Sequence, residues 1–374
     1  MNSKAAILVA SRSALSSGRG GVQQCTQEYI QTLNALGFRL EIVPFDSEMS
    51  VLARLRRRVL NLPYLDRIDR SVVRDVTAVS RELLPEFIFF NQVDVLEFSR
   101  EFRKCFTFAK LVLLSHGLES ADYLHELRAR GYAVPFARSS NVDLWRLGFQ
   151  LKQEATQRFF LDASICLSSV EVEIERWLGI KQVTWLPRTV TRHPLNWSPA
   201  ACRVGYVGTL DHPPNAEGLV LVLRVLLKVA PQVKVRVVGG PGAAAKSLFC
   251  EFPNVEYLGV MGDNELRDEA ASWNCFLHPL FCFARGASTK LATGLSWEIP
   301  IVATVAGCRG YRWKAGGVTL GESPLDFANQ VARICADLTF AETERARVQT
   351  AARTCPSIEE VAEELGRFLS TLID

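Results

Sequence analysis

Lys290 closes a run of small residues that follows Arg285, inside NCFLHPLFCFARGASTKLATGLSWEIPIVATVAGCRG from Asn274 to Gly310. The stretch reads as a buried strand, a glycine-containing loop, a helix, and a second apolar strand opening at Pro300. A strand that feeds such a loop and then a helix N-terminus presents unpaired backbone N–H groups and a positive dipole end, which suits a phosphate. Lys290 in the first helical turn adds a full positive charge, and the amides of Gly286, Ala287, Ser288 and Thr289 add donors. Arg285 has two readings on its residue type: a bidentate partner for phosphate or a donor carboxylate, or an exposed loop charge.

Other clusters of small or titratable residues follow predicted strands. CRVGYVGTLDHPPNAEGLVLVLRVL carries a strand ending at Gly208-Thr209, a turn through Pro213-Pro214, and Asn215 placed to N-cap a helix from Ala216. VKVRVVGGPG puts Gly239 and Gly240 after a strand, and NVEYLGVMGD puts Val260 after the next. Near the N-terminus, SSGRGGVQQCTQEYIQTL places Arg19, Gly20 and Gly21 between a strand and a helix, in a spacing that is not G-x-G-x-x-G. His116 follows KLVLLS at the C-terminal end of a predicted strand, where it can exchange a proton or hold a ligand hydroxyl. Glu119 and Asp122 are reserve candidates for an acid or base. His125, His193, His212 and His278 have no spacing that resembles a metal site.

The elements that must position these residues are legible as short apolar runs alternating with helical patterns, the signature of α/β domains with parallel sheets. Strands are expected at Ala5–Ala10, Leu40–Pro44, Glu86–Phe90, Leu111–Ser115, Ala163–Ser168 and Val183–Leu186. They are expected again at Arg203–Val207, Lys234–Val238, Val255–Leu258, Cys275–His278 and Ile301–Thr304. Between the two sets lies PRTVTRHPLNWSPAAC, rich in proline and without a period, so 188–202 is expected to link domains 1–187 and 203–356 and to leave a cleft between them. Ser357 with Glu360 makes a capping box ahead of a final helix.

At 374 residues and 48% apolar content the chain suits two domains. Its net charge of +3 demands neither nucleic acid nor an acidic partner. Ten cysteines without a C-x-x-C pair point to buried free thiols in a reducing compartment. The apolar run Ala5–Ala10 is too short for a leader, and no run reaches the roughly 18 residues of a membrane span. A cytoplasmic protein is expected. VLARLRRRVLNLPYLDRIDRSVVRD gathers Arg54, Arg56, Arg57 and Arg58 around Leu52, Leu55 and Val59, which is either a solvated helix face or a basic amphipathic helix lying on an anionic membrane surface.

From about residue 202 to 312 the order of these pieces resembles the donor-binding half of GT-B glycosyltransferases, the retaining family-four (glycosyltransferase group 1) type. The carriers are the strand–Gly–Thr–Leu turn with PPN, the strand ending in Gly-Gly, and the strand–loop–Lys290–helix block. LKQEATQRFFLDASICLSSVEVEIERWLGIKQVTWLP is similar to that family's first-domain ending, with Glu154, Asp162 and Ser168 read as organisers of structure. The resemblance implies two Rossmann-like domains about a central cleft, with the acceptor held by the first and a nucleotide sugar by the second. It implies a last helix, 357–374, crossing back onto the first domain. It assigns donor phosphate and sugar contacts to Gly208, Thr209, Arg285, Gly286, Ala287, Ser288, Thr289 and Lys290. It assigns the nucleoside side to Gly239, Gly240, Val260 and Thr293, and a closing loop to Arg19, Gly20 and Gly21. His116 would stand beside the reacting sugar.

One departure carries weight. With Pro300 aligned to the family's proline, Arg285 and Thr293 stand where the family has the two glutamates of E-x7-E. A threonine cannot grip a ribose diol bidentately. The donor is then a 2′-deoxynucleotide sugar or another unusual one, or turnover has been lost. The implied activity is sugar transfer with retention, without a cofactor or bound metal, to a saccharide or lipid-linked acceptor of bacterial surface polysaccharide or lipopolysaccharide. The rivals are an inactive binding or scaffold protein and a GT-B nucleotide-sugar epimerase.

Overall fold

The computed structural model describes residues 4–17, 20–46, 51–52, 55, 71–131, 141–283 and 286–373. The chain divides into two compact units, Met1–Pro187 with Ser357–Asp374, and Arg188–Pro356.

The first unit is built on β1 (Ala5–Ser11), β2 (Arg39–Phe45), β3 (Phe87–Asn91), β4 (Lys110–Leu114), β5 (Ala163–Cys166) and β6 (Gln182–Trp185). They form one parallel sheet in the order β2-β1-β3-β4-β5-β6. Helices α1 (Gly21–Ala35), α2 (Ser71–Leu83), α3 (Glu119–Gly131), α4 (Asn141–Arg158) and α5 (Ser169–Trp177) connect or cover the strands. The central strands are covered on both faces, so they read as unbroken apolar runs. In β3 the period of two sends Phe87 and Phe89 to one face, where they stack on each other and meet Phe38 edge-on. Ile88 and Phe90 go to the other, joining Ile7, Val9 and Phe102.

The second unit carries β7 (Arg203–Val207), β8 (Lys234–Val238), β9 (Val255–Gly259), β10 (Cys275–His278), β11 (Ile301–Ala303) and the two-residue β12 (Thr319–Leu320), which is too short to show as an apolar run. Its helices are α6 (Pro213–Val229), α7 (Gly242–Phe249), α8 (Asp263–Ala271), α9 (Thr289–Trp297), α10 (Pro324–Ala336) and α11 (Leu338–Thr354). The parallel order β9-β8-β7-β10-β11-β12 is a doubly wound sheet that reverses direction between β7 and β10. One face packs Val204, Tyr206, Leu277 and Val302 under α6 and α10. The other packs Phe276, Ile301 and Ala303 with Trp273, Trp297 and Leu295. Gly205 is required there, because a Cβ would stand 2.0 Å from the Trp273 ring.

Residues 188–202 have no regular element beyond a final turn and are strapped to the second unit. Backbone N–H groups of His193, Leu195, Ser198 and Ala200 donate to the carbonyls of Ser296, Trp297, Ala271 and Ser272, and Trp197 Nε1 donates to Trp273 O at 2.6 Å. The last helix, α12 (Ile358–Ser370), opens with the reciprocal Ser357–Glu360 capping box and packs on α1 within the first unit.

Beneath β4 and β5 of the first unit lies a fully buried ion pair. Arg158, from α4, presents a fork to Glu175 of α5, with Nη2 to Oε1 at 2.8 Å. Glu175 Oε1 also accepts from Ser115 Oγ at 3.3 Å. Glu154, a turn before Arg158 and also fully buried, accepts from the backbone N–H of Ser120 at 3.1 Å and from its hydroxyl at 2.5 Å. Burial raises the Glu154 carboxyl above the ordinary range, against the pull of Arg158 and Ser120. Removing the single cation would strand two carboxylates in the core. Arg158→Leu is therefore expected to cost about 3–5 kcal/mol of unfolding free energy, read by urea denaturation.

Candidate functional site

Open α/β sheets bind ligands beyond the C-terminal ends of their strands, where the winding direction switches. In the second unit that place is the end of β7 and β10. The N–H of Gly208, just after β7, donates to Val238 O at 2.9 Å, and the N–H of Gly239 donates to Gly259 O at 2.8 Å. Gly239 has φ +139° and lies so close that a Cβ would sit 2.0 Å from Gly208 O. Gly208 in turn is crossed by the Lys290 side chain, and a Cβ there would meet Lys290 Cε at 2.3 Å and Tyr206 Oη at 2.8 Å. Thr209 follows, its carbonyl taken by Asn215 Nδ2 at 3.1 Å. Gly240 faces Val260, which is 82% exposed beyond β9.

Lys290 Nζ donates to Asn215 Oδ1 at 2.7 Å. Asn215 is not the N-cap expected from sequence. Pro213 and Pro214, whose φ is preset for the first helical positions, start α6 three residues sooner, with His212 as N-cap. Asn215 thereby sits inside the first turn and spends its side chain on Thr209 and Lys290. Burial lowers the Lys290 ammonium from the ordinary 10.5 to about 8.

The N-terminus of α9 carries Lys290. Its N-cap, Ser288, makes no capping bond with its own side chain. Tyr311 fixes this end instead, its hydroxyl accepting from Ala292 N–H at 3.0 Å and donating to Ser288 O at 2.5 Å. Gly286 is buried with φ +66°, a left-handed turn that brings Ala287 and Ser288 to the helix. Thr293 lies one turn beyond Lys290 and is half-buried. Arg285 lies outside the described residues, as do Arg19, Arg54, Arg56, Arg57 and Arg58.

Tyr206, which the sequence did not single out, and His278, weighed there only as a metal ligand, also belong to this edge. Tyr206 is 2% exposed and its hydroxyl has no partner among the described residues. Its signal was a phenol in the strand RVGYV, two residues before Gly208. His278, at the end of β10, is buried against Gly307, with no hydrogen-bond partner for Nε2 among the described residues. Burial, then Lys290, then Arg309 press its pKa down to about 3, so the ring is neutral.

In the first unit the expected residues gather at the edge of β1, β3 and β4. His116, buried, follows β4 and bonds through Nε2 to Asn91 Oδ1 at 2.9 Å. Asn91 Nδ2 donates to Thr26 Oγ1 at 2.9 Å, and Thr26 donates to Val22 O at 2.8 Å. Tyr29 packs its ring 5.7 Å from the imidazole and donates its hydroxyl to Ser115 O. Glu119 and Asp122 occupy the first turn of α3, where their charges favour the helix, and both are half-exposed. Gly20 is the N-cap of α1, and Gly21 is its first residue. Glu154, read from sequence as an organiser of structure, holds the loop after His116 from within the core.

All ten cysteines are free thiols, although Cys105 and Cys250 are exposed, contrary to the expectation of burial. No helix among the described residues is long and apolar enough to cross a membrane. No group of three His, Cys, Asp or Glu among them could hold a metal ion.

Residues 201–337 match the sequence family described as Glycosyl transferases group 1. No curated protein sequence matches the chain. Among solved structures, sucrose-phosphate synthase from Thermosynechococcus elongatus is similar with TM-score 0.66 at 16% identity, over 99% of each chain. The Anabaena HepE protein, solved in complex with UDP and glucose, follows with 0.62 and 15%, over 98% of this chain and 99% of that one. A glycosyltransferase from Rickettsia africae has 0.60 and 12%, over the whole of both chains. The architecture is the GT-B fold, two Rossmann-like units. The group 1 glycosyltransferase match lies within the second of these units.

His278 generates a stability prediction. The unfolded chain takes up a proton near pH 6.5 that the folded ring refuses down to about 3, so stability falls with acid through that window. The loss approaches tenfold in the folding constant per pH unit, to order of magnitude. His278→Gln is expected to flatten the decline between pH 6.5 and 4.5 in denaturant titrations.

Proposed function

We propose that the chain moves a sugar from a nucleoside-diphosphate donor held by the second unit to a saccharide or lipid-linked acceptor held by the first. The observation that carries the donor half is Lys290. A cation in the first turn of a helix opposes the dipole, and its partial burial lowers its pKa. An anion bound there would offset both costs. The N–H groups of α9's first turn, Lys290 and the Gly208-Thr209 turn are then the groups that stabilise charge on the departing diphosphate. Gly286, Ala287, Ser288 and Thr289 shape that cradle, and Arg285 adds to its charge.

Gly239, Gly240 and Val260 line the nucleoside side in this reading, with Thr293 near the ribose. A single hydroxyl in place of a carboxylate favours a donor without a 2′-hydroxyl. Gly20, Gly21 and Arg19 border the phosphates from the first unit. His116 contacts the transferred sugar, with Glu119 and Asp122 in reserve, and transfer proceeds with retention and without a protein-held metal. The acceptor class is a surface polysaccharide or lipopolysaccharide built in the cytoplasm.

Calorimetric titration with the diphosphates of uridine, guanosine, thymidine and cytidine tests the donor half. One of them should bind wild type, and Lys290→Met should weaken it at least tenfold. Bound phosphate favours the protonated lysine, so wild-type affinity should fall above pH about 8, by at most about tenfold per unit, while the variant stays flat. Absence of binding by all four diphosphates would overturn the donor reading.

Contact with an anionic membrane surface through Arg54, Arg56, Arg57 and Arg58 is the peripheral part of the proposal. Its support is the neighbouring apolar exposure, with Leu52 at 78% and Leu55 at 57%. Liposomes rich in phosphatidylglycerol should float the protein, and a variant with the four arginines changed to glutamine should stay at the bottom of the gradient. Wild type remaining there would remove this part.

A further inference from the structure

We infer that Asn91, itself oriented by Thr26, is a positioning residue that fixes His116 in one tautomer, with the proton on Nε2 and Nδ1 as the accepting atom. The argument is a count of protons. Thr26 has one hydroxyl hydrogen, and it is given to Val22 O within the helix. The Thr26 oxygen can therefore only accept from Asn91, which places the amide NH2 of Asn91 on that side. The Asn91 oxygen must then face His116, and an amide oxygen cannot donate. The contact at 2.9 Å is consequently Nε2–H to Oδ1, so that whenever the ring is neutral its acceptor is Nδ1.

The rest of the cluster keeps this chain in place. Asn91 is fully buried at the end of β3, so its amide has no water to turn toward. Tyr29 lies against the imidazole and ties α1, which carries Thr26, to the carbonyls of Ser115 and Ile165. Ser115 Oγ accepts from Gly117 N–H and donates to Glu175, and Glu154 holds Ser120, so both flanks of His116 are anchored from the core. Gly117, at φ +99°, permits the tight turn between the flanks. A ring held with its proton on Nε2 has the acceptor chemistry at Nδ1 that a sugar hydroxyl requires. That consequence rests on the reading of His116 as a sugar contact, whereas the tautomer does not.

The test is the long-range proton–nitrogen correlation spectrum of ring-labelled protein, with His116 assigned by loss of its signals in His116→Gln. Wild type should carry its proton on Nε2. Thr26→Val, which is nearly isosteric, frees the amide to rotate and should produce a mixture or the Nδ1–H form, as should Asn91→Ala. Asn91→Asp, still an acceptor, should restore Nε2–H. Wild type in the Nδ1–H form, or an unchanged tautomer in both Thr26→Val and Asn91→Ala, would overturn the inference. Should Asn91→Ala fail to fold, Thr26→Val alone decides. Once a donor is identified, Thr26→Val should lower kcat about tenfold or more with little change in KM. Full sugar transfer by His116→Gln would instead remove the functional reading and leave the tautomer result standing.

Discussion

The edge of the second unit depends on one expensive placement, an ammonium at the positive end of a helix. Lys290 gains nothing from the α9 dipole and loses hydration, so neighbouring residues have to keep it there. Asn215 supplies an acceptor, which is available only because a Pro-Pro start moves it inside the first turn of α6. The lysine stem reaches it by crossing Gly208, where any Cβ would block the path. The Gly208 carbonyl then needs Gly239 without a side chain. Each glycine is thus required by the residue before it in this chain of contacts. Tyr311 holds the helix end in position through the Ala292 N–H and the Ser288 carbonyl. None of this serves stability, which is the physical reason to read it as a site.

The first unit meets its task by other means. Its edge has an imidazole, an amide and a threonine hydroxyl bonded in series, with a buried carboxylate network holding the loop that follows. Charges there lie below the surface and act on backbone, whereas Lys290 acts at the rim. Both clusters stand at the C-terminal edge of a parallel sheet near its reversal of winding, as the topology of open α/β sheets dictates. The division matches the chemistry proposed: anionic phosphate at one edge, uncharged hydroxyl at the other.

Much of this was legible in the sequence because its signals are local. Runs such as AAILVAS, FIFFN and RVGYV announce strands, and the Ser357–Glu360 box announces the last helix. The strand–loop–helix order around Lys290 was legible in the same way, with β10 and α9 where the apolar runs placed them. What escaped was depth. Glu154, Arg158 and Glu175 have the spacing of ordinary helix-face charges, and only the packing of α4 and α5 over the sheet shows that they are buried. Tyr206 and His278 fall within strands, where one side chain in two is inward, and sequence does not say what waits at the strand's end. Asn215 was read as a cap because its type suits one, but the prolines before it decide where α6 begins.

His278 explains how so much positive potential is tolerated at one edge. Its neighbours include Lys290 and Arg309, and a third cation in that buried space would press the lysine further toward its neutral form. Burial alone would keep the imidazole neutral, and the two cations add to the same effect, so the charge is conserved on the residue nearest the helix end. A leucine would also be neutral there, but it would fill the Gly307 notch with a branched side chain in place of a flat ring lying against a backbone that has no Cβ. The neutral ring therefore serves as packing that leaves Lys290 its charge, and the lysine's pKa of about 8 keeps that charge present at neutral pH and within reach of titration just above it.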